Sequence, residues 1–314
     1  MRKFDVTFAG EFNLDLLLYG LPQELPVERE LLADRAAMVL GGSPAIAAHN
    51  LAALGSRVGF VSTIAKDAFA SICRREMEAI GVDLSHSVAA QDGIGTGVTV
   101  LLQHDAVRRM LTYPGTTTGL HFDDLDLDYL ASARHFHLSS YFLQAALKPD
   151  VPRLFALLKE AGLTISLDTN DDPTGTWDRS ITDALRHVDV FLPNEHEACH
   201  LAQVSRLDEA VDWLLQFVPL IVVKRGREGA IACTRDQRLV VPSVKVETID
   251  AVGAGDSFNA GFLHGLLQGW PVEECLHHGN LAGAYSTTAI GGVAAFQNRA
   301  VMQQFFAAHT LQVK

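Results

Sequence analysis

Along the chain, short unbroken apolar runs alternate with longer stretches whose apolar residues recur at helical spacing. Runs at 6–9, 58–64, 135–138, 163–167, 188–192 and 220–223 predict buried strands. Between them, 44–54, 69–80, 151–161 and 177–187 predict amphipathic helices. Apolar strands separated by helices imply an α/β fold, a mostly parallel sheet covered by helices on both faces in three layers, α/β/α. Two segments break the rhythm. Residues 14–38 hold two strand-like pieces around Pro22 and Pro26. Residues 95–113 read as a hairpin: 97–103 alternates, the chain turns near His104 and Asp105, and 107–113 returns. These pieces predict a small β-sheet lid projecting from the main body. The last third reads as helical over 256–268 and 272–290. Without a low-complexity linker or a repeat, residues 1–314 are expected to form a single domain with lid segments near 14–38 and 95–113.

Composition narrows the field. Hydrophobic residues make up 48% of the chain, enough for a sizeable core. The net charge of −12 repels a phosphate backbone, and the pairs Arg74-Arg75 and Arg108-Arg109 are too short to form a patch. The four cysteines are scattered, which fits a reducing compartment better than a disulfide framework. The N-terminus leads straight into a strand-like run, and no apolar run is long enough to span a bilayer. A cytoplasmic protein without nucleic-acid or membrane partners is expected.

The chemistry concentrates at Asp250-Ala251-Val252-Gly253-Ala254-Gly255-Asp256. A glycine-rich turn feeding an apolar helix presents unpaired N–H groups and the positive end of the helix dipole, a natural seat for phosphate. Gly253 and Gly255 let the backbone approach without a Cβ. Asp256 is then out of place beside an anion unless it has a task. It suits the base that accepts the proton of a hydroxyl attacking a phosphoryl group. The plainer reading makes it a helix N-cap.

This loop, continued by Ser257 and Phe258, resembles the C-terminal signature of the ribokinase-like (PfkB) carbohydrate kinases. The resemblance implies that Gly253, Ala254 and Gly255 form an anion hole over the γ-phosphate of ATP and that Asp256 is the catalytic base. In some members the first Asp and its loop also hold a monovalent cation such as K+, a role that would fall to Asp250 and Val252. Four further motifs follow the family order. Asn13 and Asp15 stand at the first strand end, where the family binds sugar hydroxyls. Gly41-Gly42 and the stretch to Gly55 resemble the N-terminal glycine motif, which contacts the acceptor. Asn194 and Glu197 fit the Asn-x-x-Glu element that orders Mg2+ through water. Lys224 and Gly226 lie where a strand end meets ATP, with Asn280 and Gly291-Gly292 on the adenine side.

The match departs in two places. Ile46 replaces an Asn that touches the sugar in ribose-type members. Ala65 and Ala70 replace both glycines of a Gly-x-Asp-x-x-Gly element around Asp67. Both departures concern the acceptor and not the phosphate machinery. At most one of Arg108 and Arg109 can face a pocket, because adjacent strand residues face opposite sides. A neutral or weakly acidic sugar or polyol is therefore expected over a sugar phosphate. A nucleoside kinase on the same fold is an alternative, and a non-catalytic sugar or nucleotide sensor is another. Retention of the base and both loop glycines favours catalysis.

Two features carry competing readings. Asp168-Thr169-Asn170 ends a strand and can line a ligand crevice or cap a turn before Pro173. His196-Glu197-Ala198-Cys199-His200 matches H-E-x-x-H, a zinc-hydrolase pattern. Catalytic zinc needs a third protein ligand, and no downstream residue stands out for it. The remaining histidines, including His135, His137 and the His277-His278 pair, read as structural.

Overall fold

The computed structural model describes residues 2–104 and 107–309, so Asp105 of the expected lid turn lies outside the described residues. The strands are β1 Val6–Ala9, β2 Asn13–Tyr19, β3 Arg35–Gly41, β4 Val58–Val61, β5 Thr63–Ile64, β6 Val88–Ala89, β7 Gly97–His104, β8 Val107–Tyr113, β9 His135–Leu138, β10 Thr164–Leu167, β11 Val190–Phe191, β12 Leu220–Lys224, β13 Ala230–Cys233 and β14 Arg238–Val241. The helices are α1 Ser43–Ala53, α2 Ala68–Ala79, α3 Leu127–Ala131, α4 Val151–Glu160, α5 Ile181–Leu185, α6 Glu195–Ala202, α7 Leu207–Leu214, α8 Ala254–Gln268, α9 Val272–Ser286 and α10 Arg299–His309.

Eight strands form the central sheet in the order β14-β13-β12-β11-β10-β9-β1-β4. Neighbours from β4 to β12 are parallel, and the β13–β14 hairpin adds an antiparallel edge. Side chains of a strand alternate between the faces, and two apolar layers result. One packs Phe136 and Leu138 of β9 against Phe155 and Leu185. The other packs Val6 and Phe8 of β1 against Leu51, Phe258 and Phe262. The expected three layers are therefore present. The order reverses between β1 and β9, where parallel sheets open a crevice at their carboxyl ends.

Residues 14–38 and 95–113 supply a second sheet in the order β3-β2-β7-β8. Strand β2 pairs antiparallel with β3 and parallel with β7. Leu17 of β2 and Leu101 of β7 pack on Val252 of the glycine loop. Met38, Met110, Leu111 and Tyr113 are exposed.

Two expected helices are shorter than their patterns. Within 177–187 only Ile181–Leu185 is helical. Asp172 accepts from the N–H groups of Thr174 and Trp177, and Asp178 from that of Ser180, so side chains compete for the backbone. Helix α9 ends at Ser286, before 290. His135 and His137 share one strand face and are fully buried. Ser166 bridges His135 Nε2 and His137 Nδ1 at 2.7 and 2.6 Å, with Thr164 and Ser139 at the two ends. Burial lowers His135 to about 4 and His137 well below its ordinary value, which keeps both neutral.

Candidate active site

Gly253 caps α8 with φ +72, and a Cβ there would stand 2.5 Å from the Gly292 Cα, so the position demands glycine. The helix ladder begins at Ser257, whose N–H donates to Gly253 O at 2.9 Å. The amides of Gly255 and Asp256 precede that ladder and are first-turn donors. Asp256 is the third residue of the helix, not its cap, so the N-cap reading fails. Its carboxyl is buried and accepts from the Ser43 hydroxyl. Burial, then the Asp168 charge, push it to about 7 against the pull of Lys224.

Lys224 ends β12 and donates to Asp168 Oδ2 at 2.5 Å; Asn259 Nδ2, one turn beyond Asp256, donates to the same oxygen at 2.5 Å. A Cβ on Gly255 would lie 3.8 Å from Lys224 Nζ, which places the ammonium beside the first-turn amides. Asp168 serves both readings: its Oδ1 accepts from Asn170 N–H at 3.3 Å and caps the turn, while its Oδ2 takes Lys224 and Asn259. Asn170 Nδ2 donates to Ser140 Oγ at 2.9 Å and to Ser43 Oγ. Asn194 caps α6 in a capping box: Glu197 N–H donates to Asn194 Oδ1, and Asn194 N–H to Glu197 Oε2. Burial and the Asp168 charge push Glu197 to about 7 despite Lys224.

A cavity of about 750 Å³ opens beside this cluster, lined by Lys224, Gly226, Thr248, Gly255, Asn280 and Gly283, among others. Gly253 does not line it. Asn280 donates to the carbonyls of Val241 and Pro242 and so holds one wall. Gly291-Gly292, expected on the adenine side, is not part of this lining. Gly291 faces the lid residue Val39, and Gly292 O accepts from Asn50.

Across the glycine loop, a second group of residues converges under the lid. Asp15 of β2 is so close to Gly41 that a Cβ there would meet Asp15 Oδ1 at 2.1 Å. Burial, then the charges of Asp256 and Asp250, raise Asp15 to about 7, with no cation acting on it. Gly42 caps α1 at φ +85. Asn13 Oδ1 accepts from Thr117 at 2.7 Å, fastening the foot of the lid. Ile46 does not occupy the acceptor side; its methyl groups lie under the Gly253 and Gly292 backbones. Glu11 was not singled out from the sequence. It is buried, accepts from Gln144 Nε2 at 3.1 Å and from Ser140, and is pushed to about 8 by desolvation. An acid two residues before Asn13 in an otherwise apolar strand end was the available signal.

A sequence model of the pfkB family carbohydrate kinases matches residues 4–299. The chain belongs to the pfkB carbohydrate kinase family. It is an ATP-dependent kinase of a sugar or sugar-like alcohol. A 5-dehydro-2-deoxygluconokinase of Geobacillus kaustophilus is 27% identical over 98% of the chain and 95% of that protein. An ATP-dependent ribose-1-phosphate kinase of Halopiger xanaduensis is 29% identical over 92% and 94%. The structure of an Arabidopsis thaliana ribokinase complexed with ribose and ATP superimposes with a TM-score of 0.82 at 21% identity, covering 96% of this chain and 98% of that one; it shows the shared fold.

Two metal expectations can be tested on the donors of this family member. Among the described residues no three carboxylates are arranged to ligate a metal directly; Asn194 and Glu197, which hydrogen-bond each other, suit a water-mediated contact to a Mg2+ that takes its ligands from phosphate and water. The Asp250 carboxylate does not fit a monovalent cation. Its Oδ1 accepts from Val252 N–H at 3.0 Å, and its Oδ2 from Tyr19 Oη and Gly291 N–H, both at 2.9 Å. Three donated hydrogens face the oxygens that the ion would need.

The H-E-x-x-H segment forms no zinc centre among the described residues. Glu197 is turned into the capping box. His196 and His200 stack on each other at 3.9 Å and pack against Trp177.

Proposed function

We propose that this kinase phosphorylates a neutral polyol or sugar, with Asp256 as the base. The observation that carries the reading is the placement of Asp256: it follows Gly255, which lines the 750 Å³ cavity, and its charge acts on Asp15 and Glu11 under the lid. ATP occupies the cavity along Lys224, Gly226, Gly255 and Asn280. The acceptor lies on Asp15, Asn13 and Gly41-Gly42, with Glu11 as an additional hydrogen-bonding partner. The acceptor hydroxyl gives its proton to Asp256 as its oxygen attacks the γ-phosphorus and the bond to the ADP oxygen breaks. First-turn amides at 253–255 and the Lys224 ammonium hold the charge that develops on the phosphoryl oxygens. Asn194 and Glu197 would hold Mg2+ through water, and the ion supplies charge neutralisation at the phosphates.

The acceptor's neutrality is supported by charge. Three carboxyls, Glu11, Asp15 and Asp256, face this side, and the groups acting on Asp15 are all acidic. An anionic substrate would meet repulsion there. We further propose one working domain under its lid, in the cytoplasm, pairing as a homodimer through the exposed lid residues Met110, Leu111 and Tyr113. In support, all four cysteines are free thiols, and no helix of the described residues is long and apolar enough to cross a membrane. The test is ADP release over a panel of neutral polyols, sugar acids and sugar phosphates, with Asp256→Asn as the control. Preferential turnover of a sugar phosphate would refute the neutral acceptor.

A further inference from the structure

The lid and the catalytic loop meet at one hydrogen bond that the reaction scheme above does not use. Tyr19 ends β2, and its hydroxyl donates to Asp250 Oδ2 at 2.9 Å across 231 residues of chain. On the same strand, Asp15, Leu17 and Tyr19 share one face, because strand side chains repeat every second residue. Asp15 lies against Gly41, Leu17 packs on Val252, and Tyr19 reaches Asp250. One rigid strand therefore touches the acceptor side and the start of the signature loop together. Asp250 in turn orders that loop from within: it takes the N–H of Val252 and, across the loop, the N–H of Gly291. Gly253 and the first turn of α8 follow directly.

We propose that Tyr19 is a positioning residue for phosphoryl transfer. Its hydroxyl completes the donor set of Asp250, sets the 250–256 backbone when the lid is closed, and makes the loop independent of a monovalent cation. A carboxylate that already receives three hydrogen bonds has most of its charge compensated by fixed donors, which lessens its need for a cation. The inference rests on the 253–255 amides acting in catalysis. Its first measurement does not.

The experiment uses the full-length protein and Tyr19→Phe, which keeps the ring and its packing and removes only the hydroxyl. Hydrogen exchange of peptides spanning 249–258 is compared first, in buffers of K+ and of tetramethylammonium. The variant should exchange faster there by about tenfold, the effect of losing one charge-assisted hydrogen bond, while peptides of β9 and β10 stay unchanged. Wild-type exchange and melting temperature should be the same in both buffers. With the best acceptor from the panel, Tyr19→Phe should lower kcat by about tenfold and leave the KM for ATP within about twofold, a split expected when the loop is misplaced in the transition state and not in the ground state. Unchanged exchange at 249–258 in Tyr19→Phe would overturn the positioning role. Protection or melting that rises with K+ but not with tetramethylammonium in the wild type would overturn the independence from cation. If exchange responds as expected but kcat does not, the loop's catalytic role is what fails, not the Tyr19 contact.

Discussion

Lys224 and Asp168 form a buried ion pair at 2.5 Å, with the lysine ending one strand and the aspartate following another two positions away in the sheet. The pair has a third partner in Asn259, and its charges act on both Asp256 and Glu197. It links the 750 Å³ cavity, which Lys224 lines, to Asp256.

Removing the lysine leaves Asp168 buried without its cation. Lys224→Met should therefore destabilise the fold by about 3–5 kcal/mol, the usual result of breaking a buried pair from one side, and should raise the KM for ATP. Urea unfolding and initial-rate kinetics measure the two effects. A variant as stable as the wild type would mean that the pair is not essential to the fold.

Asp256→Asn should lower kcat by about 10²-fold or more, the contribution of a positioned base, while ATP binding measured by calorimetry is retained. Equal turnover by the variant would remove Asp256 from the mechanism.

The same carboxyl predicts a pH dependence. Asp256 must be ionised to act, and burial raises it to about 7. The value of kcat/KM should climb with pH and level off above about 7, reporting the free enzyme. In Asp256→Asn this limb should vanish from the residual activity.

Stability should run the other way. The folded carboxyl holds its proton up to about 7, whereas the unfolded one releases it near 3.8. Between those values the native state binds more protons, so its stability falls as pH rises. Asp256→Asn should thus raise the melting temperature at pH 8 and change it little at pH 4. A gain of the same size at both pH values would show that the carboxyl does not titrate as inferred.

Metal dependence separates the two readings of Glu197. Protein stripped with EDTA should recover its kinase activity with Mg2+ alone. Recovery only with zinc would bring back the H-E-x-x-H reading.

Much of this was legible in the order of residues. The apolar runs marked β1 and the other parallel strands because strands buried on both faces are mostly apolar; β9 departs from this with His135 and His137, whose ring nitrogens are satisfied by Thr164, Ser166 and Ser139. The lid showed itself as broken rhythm. Gly253 and Gly255 before an apolar helix marked an anion site because only backbone amides and the helix end are needed to make one. The β13–β14 hairpin and the short helices α3, α6 and α7 were not read, since short elements owe their stability to what they pack against.

What the sequence determined by itself is local: which strands lie in the core, where the glycine turn opens helix α8, and that Asp256 follows it. Tertiary structure alone decided which distant groups share that place. Glu11, Asp168 and Tyr19 belong to the site because strand ends from four parts of the chain meet there. Contact across 231 residues leaves no periodic trace in the sequence. The same packing moved Ile46 beneath the loop and turned Glu197 away from its neighbouring histidines, because burial and hydrogen bonding, not spacing, choose a side chain's partners.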